Sequence, residues 1–173
     1  MSGGPLLDEA SLRAVIDRQQ ITDQIYRYCR AMDRIDRDLG YSIWHEDGTA
    51  DYGRNFQGTG RGFIDHVCQQ HAGLQQHSHQ VSNVIIELGG DRAGSEAYVT
   101  ATLRMMRDGR LLQMTVISRY VDTWSRRDGR WAIDHRIAIM EMDEMREVTP
   151  MKAHDQARRD RTDPSYSVLK ANP

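Results

Sequence analysis

The first third of the chain has the hydrophobic spacing of a long amphipathic helix. Between residues 8 and 35, apolar side chains recur mainly at steps of three and four positions, at Leu12, Val15, Ile16, Ile25, Tyr28, Cys29 and Met32. This period places them on one stripe of a helix. Pro5, Asp8 and Glu9 suit its start, because proline and acidic residues favour the first helical turn.

Shorter elements are predicted before residue 77. A second helix over 38–44 would end at the turn-forming run Glu46-Asp47-Gly48, and a short strand would cover 49–52. Several glycines predict a loop over 53–62, and apolar residues at helical spacing predict a third helix over 63–74.

The second half of the chain has the alternation and turn residues of a β-meander. Strands are predicted over 77–88, 93–107, 110–125 and 130–141, separated by Gly89-Gly90-Asp91, Asp108-Gly109 and Asp128-Gly129. Strands of this length curve strongly in one antiparallel sheet. Helices packed against such a sheet predict an α+β fold, a cone-shaped barrel that encloses a pocket.

The last part of the chain differs from this body. Residues 143–173 are charged, contain Pro150 and Pro164 and show no periodicity. We therefore expect one domain over 1–142 and a C-terminal extension over 143–173 that packs on the body or on a neighbouring subunit.

Composition excludes several classes of partner. The 173 residues include 23 basic and 25 acidic side chains, so the net charge of −2 gives no electrostatic basis for binding nucleic acid or an anionic membrane. No apolar run approaches the length of about 18 residues that a membrane span requires. Residues 1–10 lack the features of a secretory signal, which favours a cytoplasmic protein. Cys29 and Cys68 have no metal-type spacing and are predicted to be inert core residues.

An acid and a histidine form the first candidate for chemistry. Asp33 follows Cys29 by four residues on the inward face of the first helix, where a carboxylate requires a partner. His79 lies two residues after His77, on the same strand face. A histidine held by a carboxylate can act as a general base. The alternatives are a solvated charge at Asp33, a polar strand end at His79, and a zinc pair, for which no third ligand is evident.

Arg136 and Tyr28 are the second candidates. Strict alternation places Arg136 with Ala132, Asp134, Ala138 and Met140, and opposite Trp131, Ile133, His135, Ile137 and Ile139. Arg136 would either stabilise negative charge in a pocket or form a surface ion pair with Asp134 or a neighbouring strand. Tyr28 would either be a core aromatic residue or donate a proton to a leaving group. The isoleucine stripe Ile133, Ile137 and Ile139 suits core or interface.

Further residues would line the pocket. The substrate-binding candidates are Trp44, Tyr52, His77, Thr102, Met114 and Met140. Methionines on the strands suit an adaptable cavity as well as an ordinary core. The run Gly58-Thr59-Gly60-Arg61-Gly62 lacks the spacing of a dinucleotide site, and neither a phosphate-binding loop nor a serine-hydrolase elbow occurs. We therefore expect neither a cofactor nor a metal.

Four stretches resemble the SnoaL-like branch of the nuclear transport factor 2 superfamily, which includes scytalone dehydratase, hexachlorocyclohexane dehydrochlorinase and bile-acid dehydratase. They are IYRYCRAMDRID, SIWHEDGTADYG, HSHQVSNVIIEL and WSRRDGRWAIDHRIA, within residues 12–142. The resemblance implies a catalytic pair of Asp33 and His79, with Tyr28 and Arg136 beside it. The family positions for a further aspartate and for an aromatic partner fall near Thr102 and Ala50, which argues against steroid dehydration and halocarbon elimination.

The resemblance extends to lyases that remove formaldehyde from lignin-derived diarylpropane diols. We therefore expect a cofactor-independent lyase, a dehydratase or a deformylating enzyme, that acts on a small apolar aromatic compound carrying hydroxyl groups. The alternatives are an isomerase or polyketide-type cyclase on a steroid-like or polycyclic substrate, and a non-catalytic binding module. The resemblance also implies a homo-oligomer, either a dimer or a trimer.

Overall fold

The computed structural model describes residues 8–152 and 157–169, and it divides them into helices at the start and strands after them. The elements are α1 (Glu9–Arg34), α2 (Arg37–Ser42), β1 (Trp44–Asp51), β2 (Gln57–Thr59), α3 (Gly60–Ala72), β3 (Gln76–Gly89), β4 (Arg92–Arg107), β5 (Arg110–Arg127), β6 (Arg130–Glu147) and α4 (Ser165–Val168).

One curved, open sheet carries the fold. Its strand order is β2-β1-β6-β5-β4-β3, and the long strands β3 to β6 form the predicted antiparallel meander. The predicted α+β class is confirmed. The sheet is mixed rather than wholly antiparallel, because β1 pairs in parallel with β6.

Helix α1 crosses the concave face of the sheet and supplies much of the core. Asp8 caps its start by accepting a hydrogen bond from the backbone N–H of Ser11 at 2.7 Å. Ile35, with φ of 51°, ends the helix in a left-handed conformation. The core-facing side chains of α1 include Ile21, Ile25, Tyr28, Cys29 and Met32, and those of α3 include Phe63, Ile64, Val67 and Cys68. Both cysteines are buried, as predicted.

Several predicted boundaries differ from the structure. Strand β1 begins at Trp44 and contains the run predicted to be a turn, while the predicted loop over 53–62 contains β2 and the first turn of α3. Strand β6 continues to Glu147, beyond the body predicted to end at residue 142. Within the predicted extension, residues 153–156 and 170–173 lie outside the described residues.

A bulge at Asp134 changes which side chains of β6 face the core. Thr123 is in register with His135, whereas Trp124 is in register with Ile133, so Asp134 is the extra residue. Strict alternation is therefore wrong across this point. Trp131 and Ile133 are buried with Arg136 on the concave side, and the predicted isoleucine stripe is divided because Ile133 lies in the core while Ile137 is 41% exposed.

The C-terminal segment, defined as residues 157–169, packs on the body near the end of α1. The Tyr166 hydroxyl donates to Asp36 at 2.7 Å, and Arg161 forms an ion pair with Asp38 at 3.1 Å. Arg34 and Asp163 form a further pair at 3.4 Å. These contacts place the segment beside the helix turn that carries Asp33.

Candidate active site

Asp33 and His79 are brought together by the last turn of α1 and the start of β3. The Nδ1 atom of His79 lies 2.8 Å from Oδ1 of Asp33. The backbone N–H of His79 also donates to the two carboxylate oxygens, at 3.0 and 3.2 Å. Because the carboxylate accepts from both the backbone and the ring, it fixes the ring orientation as well as the tautomer with a proton on Nδ1. Nε2 is left as the basic nitrogen, and it has no hydrogen-bond partner among the described residues.

The pair lines a cleft of about 290 Å³ between α1 and the edge strand β3. The side chains of His79 and Asp33 are 8% and 17% exposed, so the pair is mostly shielded but reachable. The lining residues are Tyr26, Cys29, Arg30, Asp33, Arg34, His79 and Val81. Burial raises the pKa of the Cys29 thiol to about 12, which leaves it protonated and weakly reactive at neutral pH.

Two further histidines contact this pair. The rings of His71 and His77 lie with centroids 5.5 and 6.2 Å from that of His79, and 4.4 Å from each other. Burial, followed by the proximity of His77 and His79, lowers the pKa of His71 to about 3. Burial also lowers the pKa of His77. We refer to His71, His77 and His79 as the histidine cluster.

Tyr28 and Tyr52 form a buried hydroxyl pair behind the cleft rather than on its lining. Their hydroxyl oxygens lie 2.7 Å apart, and Tyr52 stacks on Phe63 with ring centroids 3.7 Å apart. Burial is the main reason that the pKa of Tyr28 is raised well above its usual value. Both hydroxyls therefore keep their protons over the physiological range.

Arg136 occupies a different environment from either of the two predicted. It is fully buried, and its Nε and Nη2 atoms each donate to Asp122 at 2.7 Å. Its guanidinium carbon lies 4.2 and 4.0 Å from the ring centroids of Tyr28 and Tyr120. The ion pair predicted with Asp134 or a neighbouring strand forms with Asp122 of β5, but it lies in the core rather than on the surface. Asp134 instead accepts from Ser125 and Arg127. The Asp122 carboxylate neutralises Arg136 inside the core, so the guanidinium is not presented to the cleft.

The other predicted lining residues separate into two groups. Trp44 is 1% exposed and packs near Arg136, with no partner for its Nε1 among the described residues. Thr102 is in register with Ser78 and therefore points to the sheet face opposite His77 and His79. Its predicted place in the lining of the pocket is wrong for the cleft that holds Asp33 and His79.

The predicted methionines lie on the same sheet face as the histidines. Met114 is in register with Leu103, which is in register with His77. Met140 is in register with Ser118 on the concave face, and it is 53% exposed. Neither methionine lines the cleft itself.

Two residues of the site were not predicted from the sequence. His71 follows Ile64 and Val67 on the apolar stripe of α3, and this helical spacing was the signal that it points inward. Asp122 lies between the buried aromatics Tyr120 and Trp124 at period two, which marks an acid on the core face.

The described part of the chain contains no group of three or more His, Cys, Asp or Glu side chains that could hold a metal ion. This includes the histidine cluster, although His71 adds a third imidazole to the His77 and His79 pair. Among the described residues, no helix has the length and hydrophobicity that a membrane span requires.

Comparison with known proteins agrees with this geometry at the level of fold. The model of the SnoaL-like domain matches residues 13–137, and the chain belongs to the SnoaL-like family. No curated protein matches the chain in sequence.

Solved structures of similar fold include enzymes that carry out eliminations. A candidate scytalone dehydratase from Novosphingobium aromaticivorans is 20% identical with a TM-score of 0.68, over 82% of this chain and 97% of that chain. The structure of LinA is 16% identical with a TM-score of 0.71, over 83% and 97% of the two chains. The hexachlorocyclohexane dehydrochlorinase LinA-type3 from Novosphingobium barchaimii is 15% identical with a TM-score of 0.70, over 83% and 97%. At these identities the likeness concerns the fold.

Proposed function

We propose that the protein is a lyase that acts without a cofactor on a small, largely apolar aromatic compound carrying hydroxyl groups, such as a lignin-derived diaryl diol. His79 is the general base and Asp33 holds it. The observation that carries the proposal is the Asp33–His79 contact of 2.8 Å on the wall of a cleft.

The geometry of the pair suits removal of a proton from carbon or from a hydroxyl group. Asp33 accepts from Nδ1, so in the neutral ring Nε2 is the nitrogen that can take a proton, and it has no competing hydrogen-bond partner among the described residues. When Nε2 takes a proton, the adjacent carboxylate stabilises the resulting imidazolium. Positioned proton transfer of this kind contributes a factor of about 10²–10⁴ to a rate.

Two reactions can begin with proton removal by His79. His79 Nε2 removes a proton from the carbon next to one that bears a hydroxyl group. The C–H electron pair forms a new double bond as the C–O bond breaks, and the leaving hydroxyl group takes the proton from Nε2 and departs as water. Removal of the proton of a terminal hydroxymethyl group instead forms the C=O bond of formaldehyde as the carbon–carbon bond breaks. The electron pair of that bond forms a double bond to the neighbouring carbon, whose hydroxyl group leaves and takes the proton from Nε2 to depart as water.

Tyr28, Tyr52 and Arg136 support the wall behind the cleft in this proposal, because the two hydroxyl groups contact each other and Nε and Nη2 of Arg136 donate to Asp122. The remaining nitrogen, Nη1 of Arg136, has no hydrogen-bond partner among the described residues.

The fold neighbours favour elimination over other chemistry. The similar structures include a candidate dehydratase and dehydrochlorinases, whose names describe loss of water and of hydrogen chloride. An isomerase or cyclase would use the same base but return the proton to the substrate.

The test is turnover by metal-free protein of β-hydroxy carbonyl compounds, hydroxysteroids and diaryl diols, followed by absorbance and product mass. We expect a product lighter by water, or by formaldehyde and water together, and loss of turnover in His79→Gln. The matched control is His66→Gln, a histidine on α3 that lies outside the histidine cluster and does not line the cleft.

Other outcomes separate the alternatives. A product of unchanged mass would contradict the lyase and indicate an isomerase or cyclase. Saturable binding without reaction, equal in the wild type and His79→Gln, would indicate a binding module.

A further inference from the structure

His77 lies two residues before the proposed base and is held at both ring nitrogens. Its Nε2 lies 2.9 Å from the carbonyl oxygen of Met32, and its Nδ1 lies 3.5 Å from Nη1 of Arg159. A carbonyl oxygen only accepts hydrogen bonds, and a guanidinium only donates them. His77 therefore carries its proton on Nε2 and is unprotonated on Nδ1, which is the neutral form.

His79 has the opposite tautomer although it lies on the same strand face. Its Nδ1 donates to Asp33, so in the neutral ring Nε2 is the nitrogen without a proton. The two neighbouring imidazoles therefore differ in where they can take a proton. A proton can reach Nε2 of His79 without breaking a contact, whereas a proton on Nδ1 of His77 would face the positively charged Arg159.

Arg159 reaches this position from the C-terminal segment. Its Nη1 donates to the carbonyl oxygen of His71 at 2.8 Å, at the end of α3. The segment itself is fixed by separate contacts of Arg161 and Tyr166 with Asp36 and Asp38. One guanidinium thus connects the tail, the end of α3 and β3.

We propose that Arg159 is a positioning residue that keeps His77 neutral, so that His79 is the member of the histidine cluster that takes the proton in the reaction. This role rests on the proposed function of His79, but the state of His77 can be measured without any substrate. Arg159 acts through His77 and is not among the residues that line the cleft.

The groups that face His77 from each element packed against it favour a neutral ring. The charged and titratable groups are Asp33 from α1, His71 from α3, His79 on β3 and Arg159 from the C-terminal segment. Leu103, its partner in register on β4, adds no charge. Burial is the largest cause that lowers the pKa of His77, with His79 and Arg159 acting in the same direction and the Met32 carbonyl and Asp33 opposing them.

The test is a pH titration of ¹⁵N-labelled imidazole rings by NMR in the full chain, with His77 assigned from a His77→Gln sample. In the wild type we expect His77 to keep the Nε2–H tautomer over the range in which an ordinary histidine titrates. In Arg159→Met, Nδ1 loses its donor and the opposing charge. We expect its protonation midpoint to rise by about 0.5–1 pH unit. Arg159→Lys keeps the positive charge, so in this variant we expect the protonation midpoint of His77 to stay close to that of the wild type.

The matched control is Arg161→Met, which loosens the same segment but removes no contact to a histidine. A rise in Arg159→Met alone supports the proposal. Equal rises in both variants, or no rise in either, would overturn it. If His79→Gln kept full turnover while Arg159→Met still shifted His77, the proposed general base would fail and the assignment of the His77 tautomer would stand.

Discussion

At the scale of single residues, Asp33 organises the site through one carboxylate. Asp33 accepts hydrogen bonds from the backbone N–H and from the ring of His79. It therefore both positions the start of β3 and selects the tautomer of the His79 ring. The histidines around His79 are kept neutral by burial, since the pKa values of His71 and His77 are both lowered. The site therefore combines one charged acceptor with one available base.

Asp33→Asn is expected to reduce kcat/KM strongly with little loss of folding. The amide can still accept from the backbone N–H of His79, but it carries no charge to stabilise an imidazolium, and its NH₂ group favours the wrong tautomer. The loss should be about 10²–10⁴-fold. Steady-state kinetics together with thermal unfolding would measure both effects. Asp23→Asn removes the same charge from an exposed position of α1 and should leave kcat/KM unchanged.

His71 predicts a specific dependence of stability on pH. Its pKa is lowered from 6.5 to about 3 in the folded protein, so the unfolded chain binds the proton more readily between these values. Stability must therefore fall as the pH drops below 6.5, and it is fully retained above that value. The contribution of His71 between pH 7.5 and 5.5 is about 1.4 kcal/mol.

Urea unfolding of the wild type and His71→Leu at these two pH values would measure that contribution. Leucine cannot titrate, so we expect the variant to lose less stability on acidification. An equal loss in both proteins would show that other groups produce the acid sensitivity. Comparison of the two pH values within each protein removes any constant change in packing caused by leucine.

At the scale of elements, the sequence was most informative where its period was uninterrupted. The turns between β3 and β6 and the second half of the α1 stripe were predicted closely because propensity, periodicity and turn chemistry agree there. The first half of the stripe was predicted wrongly, because Leu12, Val15 and Ile16 are exposed.

The facing of the β6 side chains was predicted wrongly because the bulge at Asp134 adds a residue, which reverses the side chains from His135 up to a second register shift at Glu141. The period alone does not reveal such a bulge, and for this reason the ion pair of Arg136 with a neighbouring strand was predicted on the surface rather than in the core with Asp122.

Close packing between α3 and β1 also depends on Gly60, which the sequence predicts to lie in a loop. Gly60 is the first residue of α3, and a Cβ atom there would overlap the ring of Trp44, which is 1% exposed. We expect Gly60→Ala to destabilise the protein by about 1–3 kcal/mol, as overpacking of a rigid core does. The urea midpoint would report this. In Gly94→Ala, where a Cβ would meet no described atom within 4 Å, the midpoint should barely change.

At the scale of the whole molecule, the two faces of the sheet differ in how they are covered. The concave face packs against α1, while the convex face of β5 and β6 carries side chains with no covering element among the described residues. Val121 and Ile137 are in register there, beside Arg119, which pairs with Glu96 and Glu141. An apolar centre with a charged rim has the character of an interface between subunits.

We propose that copies of the chain associate through this convex face as a dimer or trimer. Ile137 is 41% exposed in the isolated chain, and an arginine there would introduce an unpaired charge at the centre of the contact. Light scattering after size-exclusion chromatography should show an oligomer for the wild type and a monomer for Ile137→Arg. Val15→Arg, at an exposed position of α1, should remain oligomeric. A wild-type monomer, or an Ile137→Arg variant that stays assembled, would contradict association through this face, because the substituted side chain lies at the centre of the proposed contact.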